Sequence, residues 1–309
     1  MNKNKSWGFI ALLSVVLLIL PGIVSAEESE SPQLAQGQTN QSGIKFGFRL
    51  TGGASLFMRN DFNDHLQGMN DYYNDDSYFT VGSEFELIKM GTDLSGEILI
   101  SFMPNLSVGI GAGYISAGKE TTMELSATSY SQDSTYNIKF SAIPITLSFY
   151  YGIPVGSFMN VVLNAGLGYY LGTVDFNLFF EGDTGIYTDE GTDNWSAKSN
   201  ALGFHGGIDL EFGIARNVAL VVGTKGRYAK LTDLTGTKDY DYSRSTGFSY
   251  SYYNENATLW FGEYMEGSKK YPQVQLSEDK LSGSSWSNVR KAEVNLSGIV
   301  FQAGIKVTF

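Results

Sequence analysis

The side chains that could do chemistry fall on alternate positions. His205, Asp209 and Glu211 share one parity in the stretch LGFHGGIDLEFGIA. Lys225 and Arg227 do the same in VVGTKGRY, as do Lys45 and Arg49 in KFGFRL. Glu97 lies in SGEIL and Lys306 in AGIKVTF. Residues two apart point to the same side of a strand. These nine would therefore face one another if their strands enclosed a common interior. Such a set offers a polar path for protons or small ions, an acid–base pair, or a plug of ion pairs that only fills space. His205 raises hydrolysis as a further option, which needs a serine and a carboxylate within hydrogen-bond reach of the imidazole. Gly206 and Gly207 follow it, and the serine expected two residues on is absent. There is no Walker loop, HExxH or GxSxG. The GIGAG of residues 109–113 opens no helix, so its glycines read as small residues in a strand. No cofactor or metal site is expected, and the chain is not expected to be an enzyme.

Composition narrows the setting. The 309 residues contain no cysteine, which excludes disulfides, thiolate chemistry and a lipid-modified N-terminal cysteine. The formal charge of −11 argues against nucleic-acid binding. Residues 1–26 join Lys3 and Lys5 to the apolar run Phe9–Leu20, a Pro21-Gly22 break and the small-x-small end Val24-Ser25-Ala26. This pattern predicts a secretory signal peptide for Sec export, cut after Ala26. The rival, an uncleaved anchor, needs a longer apolar run. Residues 27–43 are polar, without hydrophobic period, and read as a disordered periplasmic linker.

From Ile44 the apolar residues recur at every second position, the strand period. Eight segments result: Phe46–Leu56, Leu94–Phe102, Leu106–Tyr114, Ile143–Tyr151, Met159–Leu171, Leu202–Ile214, Val218–Tyr228 and Ile299–Phe309. A soluble sandwich would bury the apolar face. A transmembrane barrel turns it to lipid and fills its interior with small and polar residues. The opposite face here carries Lys, Arg, Asp, Glu, His and many of the 36 glycines. Glycine weakens an ordinary strand but suits a narrow lumen.

Two further patterns agree. Connections alternate short and long, with long loops at 60–92, 119–136, 174–200 and 232–291. Short turns on one side and long loops on the other are the outer-membrane arrangement. Phe46, Phe48, Phe102, Phe149, Tyr151, Phe212 and Phe309 fall at short-turn ends. Tyr114, Tyr169 and Tyr228 fall toward the long loops, giving two interfacial girdles. The expected fold is all-β: a transmembrane, antiparallel, up-and-down β-barrel over 44–309, with eight strands, or ten if the fourth loop adds a hairpin.

The chain from Ile44 resembles the small eight-stranded outer-membrane β-barrels of the OmpA/OmpX/OmpW type. The resemblance rests on the last strand, SGIVFQAGIKVTF, and on the hairpin-like SFMPNLSVGIGAGY and SAIPITLSFYYGIP. It implies a Gram-negative-type outer membrane, with lipid and lipopolysaccharide as surroundings. It also implies that Phe301, Ile305, Val307 and Phe309 form the signal read by the barrel-assembly machinery. It transfers no activity.

The long loops are acidic and rich in tyrosine; the fourth alone holds seven. They read as a solvated cap, as a surface for an extracellular glycan or protein, or as carboxylates for Ca²⁺ or lipopolysaccharide. Tyr72, Tyr73, Trp195, Tyr250, Tyr252, Tyr253 and Trp260 are the candidate recognition residues, since such rings give stiff contact area with a polar handle. The functional expectation is a structural or recognitive cell-surface barrel. The alternative is a porin-like conduit for small or apolar solutes, with a lipid-modifying enzyme as the third option.

Overall fold

The computed structural model describes residues 43–309. The expected signal peptide, and all but the last residue of the expected linker, lie outside it. The elements are β1 (Lys45–Phe57), α1 (Asp61–Asp75), β2 (Thr80–Ser83), β3 (Met90–Met103), β4 (Leu106–Ala127), β5 (Tyr130–Pro154), β6 (Met159–Asp183), β7 (Thr188–Ala215), β8 (Val218–Tyr228), β9 (Lys230–Leu231), β10 (Thr235–Arg244), β11 (Ser249–Glu266), β12 (Lys269–Ser277), β13 (Trp286–Lys291), β14 (Val294–Asn295) and β15 (Gly298–Thr308).

Every strand pairing is antiparallel. The series β1, β3, β4, β5, β6, β7, β8, β15 returns to β1 and closes a ring of eight strands. The fourth long loop adds no strand to it. Along each ring strand, one parity is exposed and apolar: Phe48, Leu50, Ile98, Ile110, Ile143, Leu167, Leu202, Ile208 and Phe301 all point outward. The other parity is buried and polar, including Arg49, Asp93, Glu97, His205 and Asp209. This inverts a water-soluble protein, where apolar groups leave water and charges keep it. β8 and β15 have 11 residues each. At ~3.3 Å per residue and ~40° of tilt they rise roughly 28 Å, close to the ~25 Å apolar band of an outer-membrane barrel. Phe46, Phe48, Phe102, Phe149, Tyr151 and Phe309 ring the short-turn end with exposed aromatic groups. Tyr114, Tyr169 and Tyr228 do so at the other.

Most of the stretches expected as loops are ordered structure. β4 to β7 run 22, 25, 25 and 28 residues, well beyond their ring neighbours. Residues 119–136 and 174–200 are therefore chiefly strand, turning at 128–129 and 184–187. β10 pairs the first half of β7, β11 pairs β10, and β12 and β13 flank the second half of β11.

α1 packs against β12. Its start is capped by Asn60, whose side chain accepts from the Asn63 N–H at 3.0 Å, with Asp61 and Asp64 in the first turn. Phe62, Leu66, Met69 and Tyr73 recur at helical spacing and turn inward. They join Phe85, Ile115, Met123, Tyr136, Ile138, Phe140, Phe176, Trp195, Leu231, Leu259 and Val274 in one apolar core. The long-loop end is thus a folded cap with its own interior. Gly68 is where α1 touches β12: a β-carbon there would lie 2.3 Å from the Pro272 carbonyl oxygen. Gly68→Val is expected to lift α1 and cost the cap roughly 1–3 kcal/mol by overpacking. Faster proteolytic cleavage of residues 58–80, with unchanged ring protection, would show it. Cleavage at the wild-type rate would rule out this contact.

Candidate functional site

The interior polar set is built in tiers. In the middle, Asp209 is fully buried and accepts three hydrogen bonds of 2.8 Å. Their donors are Arg49 Nη2 on β1, Asn164 Nδ2 on β6 and Gln302 Nε2 on β15. Asp209 itself lies opposite Gly223, as the short β7–β8 turn predicts. The glycine makes the room: its β-carbon would sit 2.1 Å from Asp209 Oδ1.

Beside this tier, Glu97 accepts from the Tyr150 hydroxyl and, at 2.9 Å, from Ser148 Oγ. The Arg49 guanidinium lies over the Tyr150 ring at 5.1 Å. Toward the cap, Arg227 pairs with Asp93 and donates to Ser55 Oγ at 3.0 Å and to the Leu296 carbonyl at 2.8 Å. Lys225 Nζ is 3.7 Å from the same Asp93. At the short-turn mouth, Lys306 pairs with Glu211 at 2.8 Å.

Eight of the nine residues expected in the interior are brought together. Lys45 is the correction: it is exposed at the start of β1 and forms no ion pair among the described residues. It has the right parity but sits at the rim, where water reaches it. Asp93 was missed. It continues the inward series Ser95, Glu97 by one step, so the period already pointed to it. With Asp93 included and Lys45 removed, four bases face four acids.

The interior is nearly filled at its centre and opens at the short-turn mouth into a recess of about 230 Å³ lined by Asn160, Glu211, Ala219 and Lys306, among others. The cavity at its centre measures about 30 Å³ and is lined by Arg49, Glu97, Tyr150, His205, Lys225 and Arg227, among others. That is room for a water molecule, not for a solute. Arg49 Nη1, on this cavity wall, has no protein partner.

Folding supplies the serine that sequence spacing denied to His205. Ser148 of β5 places Oγ 3.1 Å from His205 Nε2, with Glu97 also in contact. The roles are not those of a hydrolase. Ser148 carries one proton and gives it to Glu97, so Nε2 must donate to the serine rather than take its proton. The carboxylate should orient the imidazole, and here it holds the serine. Ser148 is also completely buried.

The recognition candidates divide. Trp195 is core: it stacks on Phe176 at 4.0 Å and is 7% exposed. This corrects its assignment to the surface. Tyr72 and Tyr73 are half-buried, and Tyr72 meets Tyr271 edge-on at 5.1 Å. Trp260 is half-buried and donates to the Ser277 carbonyl at 3.3 Å. Tyr250 and Tyr253 are exposed at the far end of the β10–β11 hairpin, and Tyr252 stacks on Tyr240 at 5.2 Å. Phe301, Ile305, Val307 and Phe309 have the outward parity of the last strand.

No family model matches the chain, and no curated protein does. Among solved structures it is similar to a major outer membrane protein from Thermus thermophilus, at 12% identity and a TM-score of 0.36, covering 86% of this chain and 100% of that one. It is also similar to the outer membrane protein OprG from Pseudomonas aeruginosa, at 11% identity and a TM-score of 0.32, covering 86% and 94%. A third match is the outer membrane protease OmpT from Escherichia coli, at 10% identity and a TM-score of 0.26, covering 86% and 95%. All three matches are outer-membrane β-barrel proteins.

Proposed function

We propose that this chain is an eight-stranded outer-membrane β-barrel with a closed lumen, which holds a folded recognition cap outside the cell. One observation carries the reading. The ring exposes an apolar surface while its inward face pairs four acids, all buried, with four bases, of which Arg49 and Arg227 are buried and Lys225 and Lys306 half-buried, and leaves a central cavity of about 30 Å³. A barrel of eight strands is about wide enough for its own side chains, and these have filled it. Its material contribution is then the cap, which α1, β2, the extended ends of β4 to β7 and β9 to β14 make into a stiff body. A glycan or protein partner at the exposed tyrosines fits such a platform.

The surroundings follow from the same surface. Lipid and lipopolysaccharide would meet the apolar belt and its girdles. The barrel-assembly machinery would read the outward residues of β15. Sec export would bring the chain to it.

Reconstitution into planar bilayers tests the closed lumen. The expected result is no step conductance above baseline at physiological salt, together with heat-modifiable migration typical of a folded barrel. Well-resolved conductance steps would establish the conduit reading in its place. No catalytic role is proposed for His205 and Ser148.

A further inference from the structure

Among the described residues, nothing covers one edge of β11 over its first half. From Ser249 to Ala257 it pairs with β10 on one side only. β12 takes the other side from Thr258 onward and leaves it after Ser277. The parity of the hydrogen bonds follows from the hairpin. Arg244 N–H donates to the Phe248 carbonyl at 2.8 Å, through a tight loop whose Gly247 has φ +93°. Residues 250, 252 and 254 therefore bond to β10. Ser249, Ser251 and Tyr253 turn their N–H and C=O groups to the open side. The usable edge ends near Asn256, where φ is +62° and the register shifts.

Proteins normally blunt such an edge with lysine, proline or a covering element. The segment SYSYYN contains neither lysine nor proline, and among the described residues no element lies on it. Its two faces differ. One presents Tyr250 and Tyr252, backed by Tyr240 and Tyr242. The other presents exposed Asp239, Asp241, Glu190 and Glu255, and the residues of that parity on β7, β10 and β11 at this end include no Lys or Arg. An added strand would lie two spacings, roughly 10 Å, from Asp239 and Asp241, within reach of a long cationic side chain.

We propose that Ser249–Asn254 is a docking edge for an extended cationic peptide. The peptide would add as a strand, with basic side chains over the acidic face and apolar ones against the tyrosines. Backbone hydrogen bonds would give affinity, and the alternating side chains would give specificity. The inference deepens the recognition reading and rests on it for its biological setting.

The experiment uses the whole protein in lipid nanodiscs and a fluorescein-labelled peptide of alternating Lys and Val, six residues long, read by anisotropy. Saturable binding is expected. N-methylation of alternate amides should weaken it about tenfold or more through lost backbone bonds. The Glu–Val peptide should not bind. On the protein, Ser251→Pro removes one edge donor without touching a β10 bond, and should weaken binding similarly. Equal binding of the N-methylated peptide, or wild-type affinity in S251P with an intact fold, overturns the proposal. Ser249→Cys would be the chain's only thiol. Its labelling by an impermeant maleimide on intact cells separates the two readings: an unlabelled tip refutes surface display, whereas a labelled tip without peptide binding refutes the edge alone.

Discussion

Asp209→Ala is expected to lower the stability of the folded barrel by about 3–5 kcal/mol, as removal of one member of a buried ion pair does. Asp209 is fully buried and is the shared acceptor of Arg49, Asn164 and Gln302, so one substitution strands three donors from three strands. The guanidinium is the costly one. Arg49 is 3% exposed and cannot shed its proton, and its second η nitrogen already lacks a protein partner. Asp209→Asn should be nearly as harmful, because it keeps the shape and loses the charge. Arg49→Met combined with Asp209→Leu should recover much of the loss, since a buried pair exchanged for apolar groups of similar volume is often neutral or better. Urea titration in lipid vesicles, followed by tryptophan fluorescence and heat-modifiable migration, reads all three. Single variants as stable as wild type would show that the interior is hydrated rather than plugged. Conductance gained by Asp209→Ala but not by the double variant would show that the pair is also the seal.

Which parts of this were legible in the sequence follows from what period two can encode. A residue's parity in a membrane strand decides lipid or lumen, so Arg49, Glu97, Asp209, Glu211, Arg227 and Lys306 could be grouped before any coordinates. Parity carries no height. Lys45 therefore looked like an interior base, although it stands at the rim. Partners across the lumen were also hidden. Arg49 lies opposite Glu97 in register, yet its carboxylate comes from Asp209, on a strand distant in the ring. Ser148 and His205 likewise meet only because β5 and β7 flank β6.

The cap was the harder part, because its signals are of two kinds laid on one acidic, tyrosine-rich composition. Phe62, Leu66, Met69 and Tyr73 behind an Asn60 cap spell a helix, but among five aspartates they read as a solvated loop. In β4 the apolar residues change parity at the membrane's edge: the lipid-facing set ends at Tyr114, and Ile115, Ala117, Met123 and Leu125, on the inward parity, point into the cap core. Trp195 shows the cost of judging by composition: flanked by Asp193 and Asn194, it looks like surface, yet it is core.

The cap should loosen on mild acidification, and His65 is the reason. Burial lowers its pKa from 6.5 to about 4. It is enclosed by Tyr136 and Phe176, and its Nδ1 accepts from the Val274 N–H at 3.4 Å, which requires the neutral ring. The sign follows. A histidine depressed in the folded state adds stability that is complete above the unfolded pKa of 6.5 and is lost as pH falls toward 4. The loss should reach about 2 kcal/mol at pH 5 and about 3 kcal/mol once both states are protonated. Asp75 and Glu263 in the cap act lower. Hydrogen bonds from Lys269 and Tyr271 hold Asp75 below its usual 3.8, and those from Asn288, Lys270 and Ser287 hold Glu263 below 4.5. Their contributions fade only beneath those values, so neither competes with His65 in the interval from 6.5 down to 4.5. Hydrogen exchange of α1 and β12 in vesicles should accelerate across it while the ring strands stay protected. His65→Phe, which keeps the ring and removes the titration, should flatten the response. Equal protection of α1 at pH 7.5 and pH 4.5 in the wild type, or an unchanged acid response in His65→Phe, would place the cap's acid sensitivity elsewhere.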